Sequence, residues 1–248
     1  MKIIRNIFLL LLVACSFTVS AQKEITLESI WKTYAFYPAY IRGFESMPNS
    51  DYYSVNNGTA IAKFSFETGN QIEEILTNDM LQSASNGKLT LRDIDEYSFD
   101  ASCSKILIST EGESIYRRST LSNFFVYDLS AKKLTAVADE KNGKLNFADF
   151  SADGNKVAFV RNYNLFYVDL QSGKETQITF DGKENEVRNG WADWVYEEEL
   201  SQAKYFSWSP DGSKIAFLRF DESKVKEYTM QMWGELYPEN YTYKYPKA

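Results

Sequence analysis

The chain has 248 residues, with 27 basic against 34 acidic side chains and a formal net charge of -7. This acidic balance argues against a nucleic-acid-binding protein, which would carry a basic footprint. The sequence contains no histidine, so Ser-His-Asp and Cys-His catalysis cannot be assembled from this chain alone. We therefore expect no catalytic residue, no metal site and no cofactor within it, because histidine also supplies most zinc ligands.

Residues 1–21 have the features of an export signal. A charged start precedes an apolar run at residues 7–13, which is shorter than the roughly 20 residues of a membrane span. Small residues at 19–21 offer a cleavage site. Residues 12–15 also resemble a bacterial lipobox, which would place a lipid on Cys15. We predict a periplasmic or secreted protein, with lipid anchoring through Cys15 as the alternative.

Residues 22–37 form a lead-in with helical spacing. Ile25, Ile30 and Trp31 repeat at helical intervals, and Thr26 stands where a helix cap would. The pattern predicts one short helix within residues 24–34. Farther along the chain, we interpret Cys103 as a buried or half-buried packing residue rather than as a reactive thiol.

From residue 38 onward a loose repeat indicates an all-β fold. Each copy has an aromatic residue, a turn containing Ser or Asp, a lysine and an apolar strand. The copies lie at 97–108, 147–159 and 205–217, with a degenerate earlier copy at 53–75. Units spaced by roughly 40–50 residues are typical of propeller blades. We predict that residues 38–248 are the N-terminal part of a β-propeller, about four blades of it, rather than a complete small all-β domain.

The interval between Phe150 and Trp208 is longer than that between Phe99 and Phe150. The extra residues are assigned to an insertion at 189–200, on a loop or short helix between strands of a blade. It carries three consecutive glutamates, 197–199, among large aromatic side chains. Such a run is usually a solvated face. Packed aromatics would fix these carboxylates, and a fixed pair of carboxylates suits an ammonium group.

Residues 189–200, NGWADWVYEEEL, closely resemble the glutamate-bearing segment of the dipeptidyl peptidase IV family of serine exopeptidases. Residues 116–119, YRRS, followed by VYDL at 126–129, resemble the family's arginine-bearing blade segment. The resemblance implies a two-domain enzyme with a propeller of about eight blades. It also implies an α/β-hydrolase domain that carries the catalytic Ser, Asp and His. That domain is absent from this sequence, which has no G-x-S-x-G motif, so the chain alone is expected to be inactive.

The resemblance also assigns the substrate-binding residues. It implies that Glu198 and Glu199 bind the free α-ammonium of a peptide, and that Arg117 contacts a substrate carbonyl and orders the glutamates. An N-terminal amine with a pKa near ~8 is largely protonated at neutral pH and forms charge-assisted bonds with carboxylates. Arg118 is the alternative to Arg117, and a surface salt bridge is the alternative role for Arg117. Glu197 is expected to be structural or solvated.

The leading hypothesis is an exported serine dipeptidyl aminopeptidase, with the preference for Xaa-Pro or Xaa-Ala taken from the resemblance alone. The alternatives are a prolyl tripeptidyl aminopeptidase and a non-catalytic periplasmic propeller that binds peptides or proteins. The expected partners are peptides with a free N-terminus, the missing hydrolase domain and a second copy of the chain. Residues 227–245 are the candidate start of a dimerisation arm, and Trp194 and Tyr196 are expected to pack the insertion onto the blade.

Overall fold

A computed structural model of the chain describes residues 25–38 and 43–245. The predicted signal peptide and Cys15 lie outside these described residues. The chain divides into two compact units, Met1–Tyr40 and Ile41–Ala248. Within the described ranges, no helix is both long enough and apolar enough to cross a bilayer.

The first unit contains one short helix, α1 (Leu27–Trp31). Its cap is the predicted Thr26, whose hydroxyl accepts from the Ser29 amide at 3.0 Å. Ser29 reciprocates by accepting from the Thr26 amide at 2.9 Å, which completes a capping box. The predicted cap is confirmed. The helix is shorter than residues 24–34 because the extended backbone of Thr26 places the first helical residue after it.

The second unit is all-β, and residues 43–177 build three four-stranded antiparallel sheets in which each strand pairs with the next along the chain. The first contains β1 (Phe44–Ser46), β2 (Tyr52–Asn56), β3 (Ala60–Ser65) and β4 (Gln71–Thr77), and α2 (Asn78–Ala84) follows it. The second contains β5 (Ile94–Phe99), β6 (Lys105–Ser114), β7 (Thr120–Asp128) and β8 (Lys133–Ala136), and a 3-10 turn (Glu140–Asn142) follows it. The third contains β9 (Asn146–Phe150), β10 (Lys156–Arg161), β11 (Asn164–Asp169) and β12 (Glu175–Gln177).

The fourth repeat is interrupted by the insertion. Its paired segments are β13 (Val187–Asn189) with β16 (Arg219–Asp221), and β14 (Phe206–Trp208) with β15 (Ile215–Phe217). Only Leu218 separates β15 from β16, so these two strands form one continuous stretch of chain. β14 pairs with its first part and β13 with its second part. The insertion between them carries α3 (Trp194–Leu200). A hairpin of β17 (Glu227–Met232) and β18 (Glu239–Lys244) completes the described chain.

The buried core lies between successive sheets. On β6, Ile106 and Ile108 join a cluster with residues of the first sheet, whereas Leu107 joins a cluster with residues of the third. This alternation follows from the two-residue period of a strand. A third cluster joins the third sheet to Trp191 and Phe206. The all-β prediction is confirmed, and sheets that bury both faces against their neighbours are consistent with a partial propeller.

The turns of the repeat have equivalent backbones. Gly154 and Gly212 have φ angles of 67° and 65°, and Cys103, at the same place in the earlier copy, has 54°. The Cys103 thiol is half-buried. Burial, followed by the nearby Asp100, raises its pKa. A raised pKa lowers the thiolate fraction, which supports a packing role over a reactive one.

Candidate functional site

The two ends of the insertion pair with each other as a short antiparallel ladder, and α3 lies at the tip of this ladder. Gly190 accepts from the Tyr205 amide at 2.9 Å, and the Ala192 amide donates to Ala203 at 3.0 Å. Asp193 caps α3 by accepting from the Tyr196 amide at 2.9 Å. The helix ends at Ser201, whose left-handed backbone (φ 59°) stops further helical bonding. The glutamate triplet is therefore held on one short helix.

Two aromatic side chains hold this helix from different sides. The Tyr196 ring packs edge-on against Tyr205 at 5.6 Å and Phe220 at 5.1 Å, which places it on the blade as predicted. The Trp194 ring instead contacts Tyr245 at 4.9 Å and Tyr243 at 6.0 Å, at the end of the hairpin. Aromatic pairs at these distances add stabilisation beyond the burial of their area.

The loop between β6 and β7, residues 115–119, brings Arg117 to the insertion. Its Nη2 lies 2.6 Å from Glu198 Oε1 and its Nε donates to Oε2 at 3.2 Å. This two-point contact is the geometry in which guanidinium matches a carboxylate best. Arg118, the alternative candidate, instead donates to Ser201 Oγ at 2.8 Å. The structure therefore brings Arg117 and Glu198 together across 81 residues of sequence.

The first glutamate of the triplet has a structural position. Glu197 is 1% exposed. Its Oε1 accepts from the backbone amides of Arg118 at 2.9 Å and Ser119 at 2.7 Å. Its Oε2 is buried and has no hydrogen-bond partner among the described residues. Of the two roles expected for Glu197, the structural one is confirmed and the solvated one is wrong.

The last glutamate has a different environment. Glu199 is exposed, and its carboxylate makes no hydrogen bond or ion pair within residues 25–38 and 43–245. Glu198 beside it is only 22% exposed in its side chain and is bound by Arg117. Neighbouring helical residues point about 100° apart, so the Glu198 and Glu199 side chains leave α3 in different directions. The Arg117 side chain is 68% exposed, which leaves guanidinium N–H groups able to donate to a carbonyl.

Behind the insertion lies a buried ion pair that the sequence reasoning did not identify. Arg188 Nε donates to Glu222 Oε2 at 2.7 Å, with the two side chains 5% and 3% exposed. Arg188 also donates to the Ala192 carbonyl at 3.4 Å and stacks over the Trp191 ring at 4.6 Å. Burial raises the pKa of Glu222, against the opposing effect of Arg188. The only sequence signal was the position of Arg188 next to the insertion.

The hairpin also reaches the arginine-bearing loop. The Tyr241 hydroxyl of β18 donates to the Tyr116 hydroxyl at 3.3 Å, so this loop is contacted by both the insertion and the hairpin. In the described part of the chain, no group of three or more Cys, Asp or Glu side chains is arranged to hold a metal ion.

Comparisons with known proteins identify the family of this chain. The sequence model of the family described as "Dipeptidyl peptidase IV (DPP IV) N-terminal region" matches residues 100–248, which include both the loop at 115–119 and the insertion. The crystal structure of Porphyromonas gingivalis dipeptidyl peptidase 4 superposes with a TM-score of 0.79 at 37% identity. The superposition covers 92% of this chain and 32% of that one.

Curated relatives show the same pattern. Dipeptidyl peptidase 4 of Trichophyton rubrum is 35% identical over 160 residues, which is 62% of this chain and 20% of the relative. Human prolyl endopeptidase FAP is 29% identical over 215 residues, which is 86% of this chain and 26% of the relative. The chain thus spans a fifth to a third of the length of these proteins. Since the family's own model matches more than half of the chain, the chain belongs to the dipeptidyl peptidase IV family, within its N-terminal region.

Proposed function

We propose that this chain is the N-terminal part of an exported serine dipeptidyl aminopeptidase, in which Glu198 and Glu199 bind the N-terminal ammonium of a peptide substrate. The observation that carries the proposal is the two-point contact of Arg117 with Glu198 beside the exposed Glu199. The names of the relatives support peptidase activity. The catalytic Ser, Asp and His would come from an α/β-hydrolase domain outside these 248 residues.

The charges of the site suit this ligand. Arg117 offsets the charge of Glu198, so the two adjacent carboxylates carry about one net negative charge between them, which matches one ammonium. The ammonium offers three N–H donors, and the pair of carboxylates offers several acceptor positions. The exposed guanidinium of Arg117 would donate to the first carbonyl of the peptide. Anchoring the N-terminus at a fixed distance from a serine nucleophile would set the length of the released product.

The proposal includes the organisation of the chain. Residues 1–21 would be removed on export, or Cys15 would carry a lipid; residues 22–37 would form the lead-in, and residues 38–248 part of a β-propeller. In a homodimer, the second copy of the protein would contact this chain at the β17–β18 hairpin. Its tip carries Trp233, Leu236 and Tyr237, which are 71%, 86% and 79% exposed.

The test uses the full-length protein and a Gly-Pro-reporter substrate with a free N-terminus. Glu199→Gln keeps the side chain's shape but removes the charge, and loss of a charge-assisted bond should lower kcat/KM at least about tenfold. Glu67→Gln is the matched control, since Glu67 is also exposed but lies on the turn after β3. Equal turnover in the two variants would contradict the ammonium-anchor role.

Product analysis separates the alternatives. Release of dipeptides supports the proposal, whereas release of tripeptides indicates a prolyl tripeptidyl aminopeptidase. A full-length protein that binds such peptides without cutting them would be the non-catalytic propeller.

A further inference from the structure

One buried carboxylate fastens the arginine-bearing loop to the insertion. The backbone amides of Arg118 and Ser119 both donate to Oε1 of Glu197, at 2.9 Å and 2.7 Å. These are the two residues that immediately follow Arg117. The contact joins the β6–β7 loop to α3 across 78 residues of sequence.

Arg117 has little else to fix it. Its side chain is 68% exposed, and a long exposed side chain loses considerable rotamer entropy when it is held in one geometry. Within the loop, one backbone bond runs from the Ile115 amide to the Ser119 carbonyl at 2.9 Å. Its other hydrogen bonds include those at the ends of the Tyr116 and Arg118 side chains, which hold the backbone less directly than Glu197 does. When the backbone at Arg117 is fixed, its guanidinium contacts Glu198 in a larger fraction of the side-chain conformers.

We infer that Glu197 is a positioning residue for the site described above: it holds the loop backbone so that Arg117 reaches Glu198. What the site binds rests on the proposed function, but the fastening of the loop does not. A purely stabilising role explains Glu197 poorly. Its Oε2 is buried without a partner in the described chain, and a carboxylate buried with incomplete bonding stabilises a fold less than an apolar side chain of similar size.

The chain supplies a matched control in Asp100. Asp100 is 2% exposed, and its Oδ1 also accepts two consecutive backbone amides, Ser104 at 2.7 Å and Lys105 at 2.6 Å. This turn precedes β6, whereas the arginine-bearing loop follows it. At about 3.3 Å per residue the two lie roughly 30 Å apart. Asp100→Ala therefore removes an acceptor of two consecutive backbone amides far from the site, together with the hydroxyl bonds that Ser102 and Ser104 donate to its Oδ2.

The first readout is amide hydrogen exchange in the full-length protein. Glu197→Ala should speed exchange at Arg118 and Ser119 by about tenfold or more, because each amide loses its acceptor. Asp100→Ala should leave these two amides unchanged and affect its own turn. Glu197→Gln keeps an acceptor oxygen and should restore most of the protection. Unchanged exchange at Arg118 and Ser119 in Glu197→Ala would overturn the inference.

The second readout is steady-state kinetics with the Gly-Pro-reporter substrate. Glu197→Ala should lower kcat/KM at least about tenfold, mainly through KM, because a displaced anchor weakens binding and alignment. The kcat/KM of Glu197→Gln should lie within about threefold of the unsubstituted protein, since the amide oxygen still accepts both backbone N–H groups. Equal losses of kcat/KM in Glu197→Ala and Asp100→Ala would show that Glu197 contributes only to general stability, and would refute the positioning role. If the full-length protein cleaves no substrate, the proposed function fails, while the exchange result still decides whether Glu197 fastens the loop.

Discussion

The buried pair of Arg188 and Glu222 allows a prediction whose size follows from the structure. Both side chains are almost fully buried, at 5% and 3% exposure, and they meet at 2.7 Å. Glu222→Ala would leave the Arg188 guanidinium buried without a counter-ion. We expect the unfolding free energy to fall by about 3–5 kcal/mol, because the desolvation of the remaining charge is no longer compensated.

A second change separates the missing charge from the missing side chain. In the double variant Arg188→Met, Glu222→Leu no charge is left buried, so most of the lost stability should return. The exposed pair of Lys183 and Glu186, with side chains 67% and 47% exposed, is the matched surface control. Glu186→Ala should cost less than about 1 kcal/mol, as exposed pairs do.

Urea unfolding of the full-length protein measures these differences. Trp191 lies 4.6 Å from the Arg188 guanidinium and is 4% exposed, so its fluorescence reports on this part of the chain. If Glu222→Ala and Glu186→Ala shift the midpoint equally, or if the double variant is less stable than Glu222→Ala, the reasoning from desolvation is refuted.

Two further predictions concern a close backbone approach and an acidic turn. Gly182→Ala should lower the free energy of unfolding by about 1–3 kcal/mol, because a Cβ there would lie 2.3 Å from the Tyr163 carbonyl oxygen. Gly234→Ala, where a Cβ would meet open space, should be neutral. Equal melting temperatures of the two variants would contradict this prediction. Hydrogen bonds from Ser151 Oγ and then the Asn155 amide lower the pKa of Asp153 to about 2. Since this folded pKa lies below the ordinary 3.8, the stabilisation is present above 3.8 and is lost as the pH falls through about 2. An NMR titration of the Asp153 carboxyl checks the value, and a midpoint near 3.8 would count against it.

The sequence by itself determined the fold class and the family. The repeated turns depend on local sequence, because Gly154 and Gly212 adopt positive φ where the pattern places them. The apolar strand after Gly154 buries both faces, whereas the strand after Gly212 is only half-buried at Ile215 and Phe217. The cap at Thr26 is equally local, because a hydroxyl three residues from an amide needs no distant partner. The family resemblance, carried by residues 116–129 and 189–200, is confirmed because those stretches lie inside the matched region.

The tertiary structure decided which charges meet. From sequence, Arg117 was the candidate and Arg118 the alternative, and the path of the loop over α3 decides that Arg117 contacts Glu198 and Arg118 contacts Ser201. The burial of Glu197 was equally hidden, because three identical neighbours differ only in the direction each takes from a short helix. The pairing of Arg188 with Glu222 depends on β13 lying beside β16, across more than thirty residues. Such contacts depend on which strands pair across long separations in sequence, and a local sequence pattern does not contain that information.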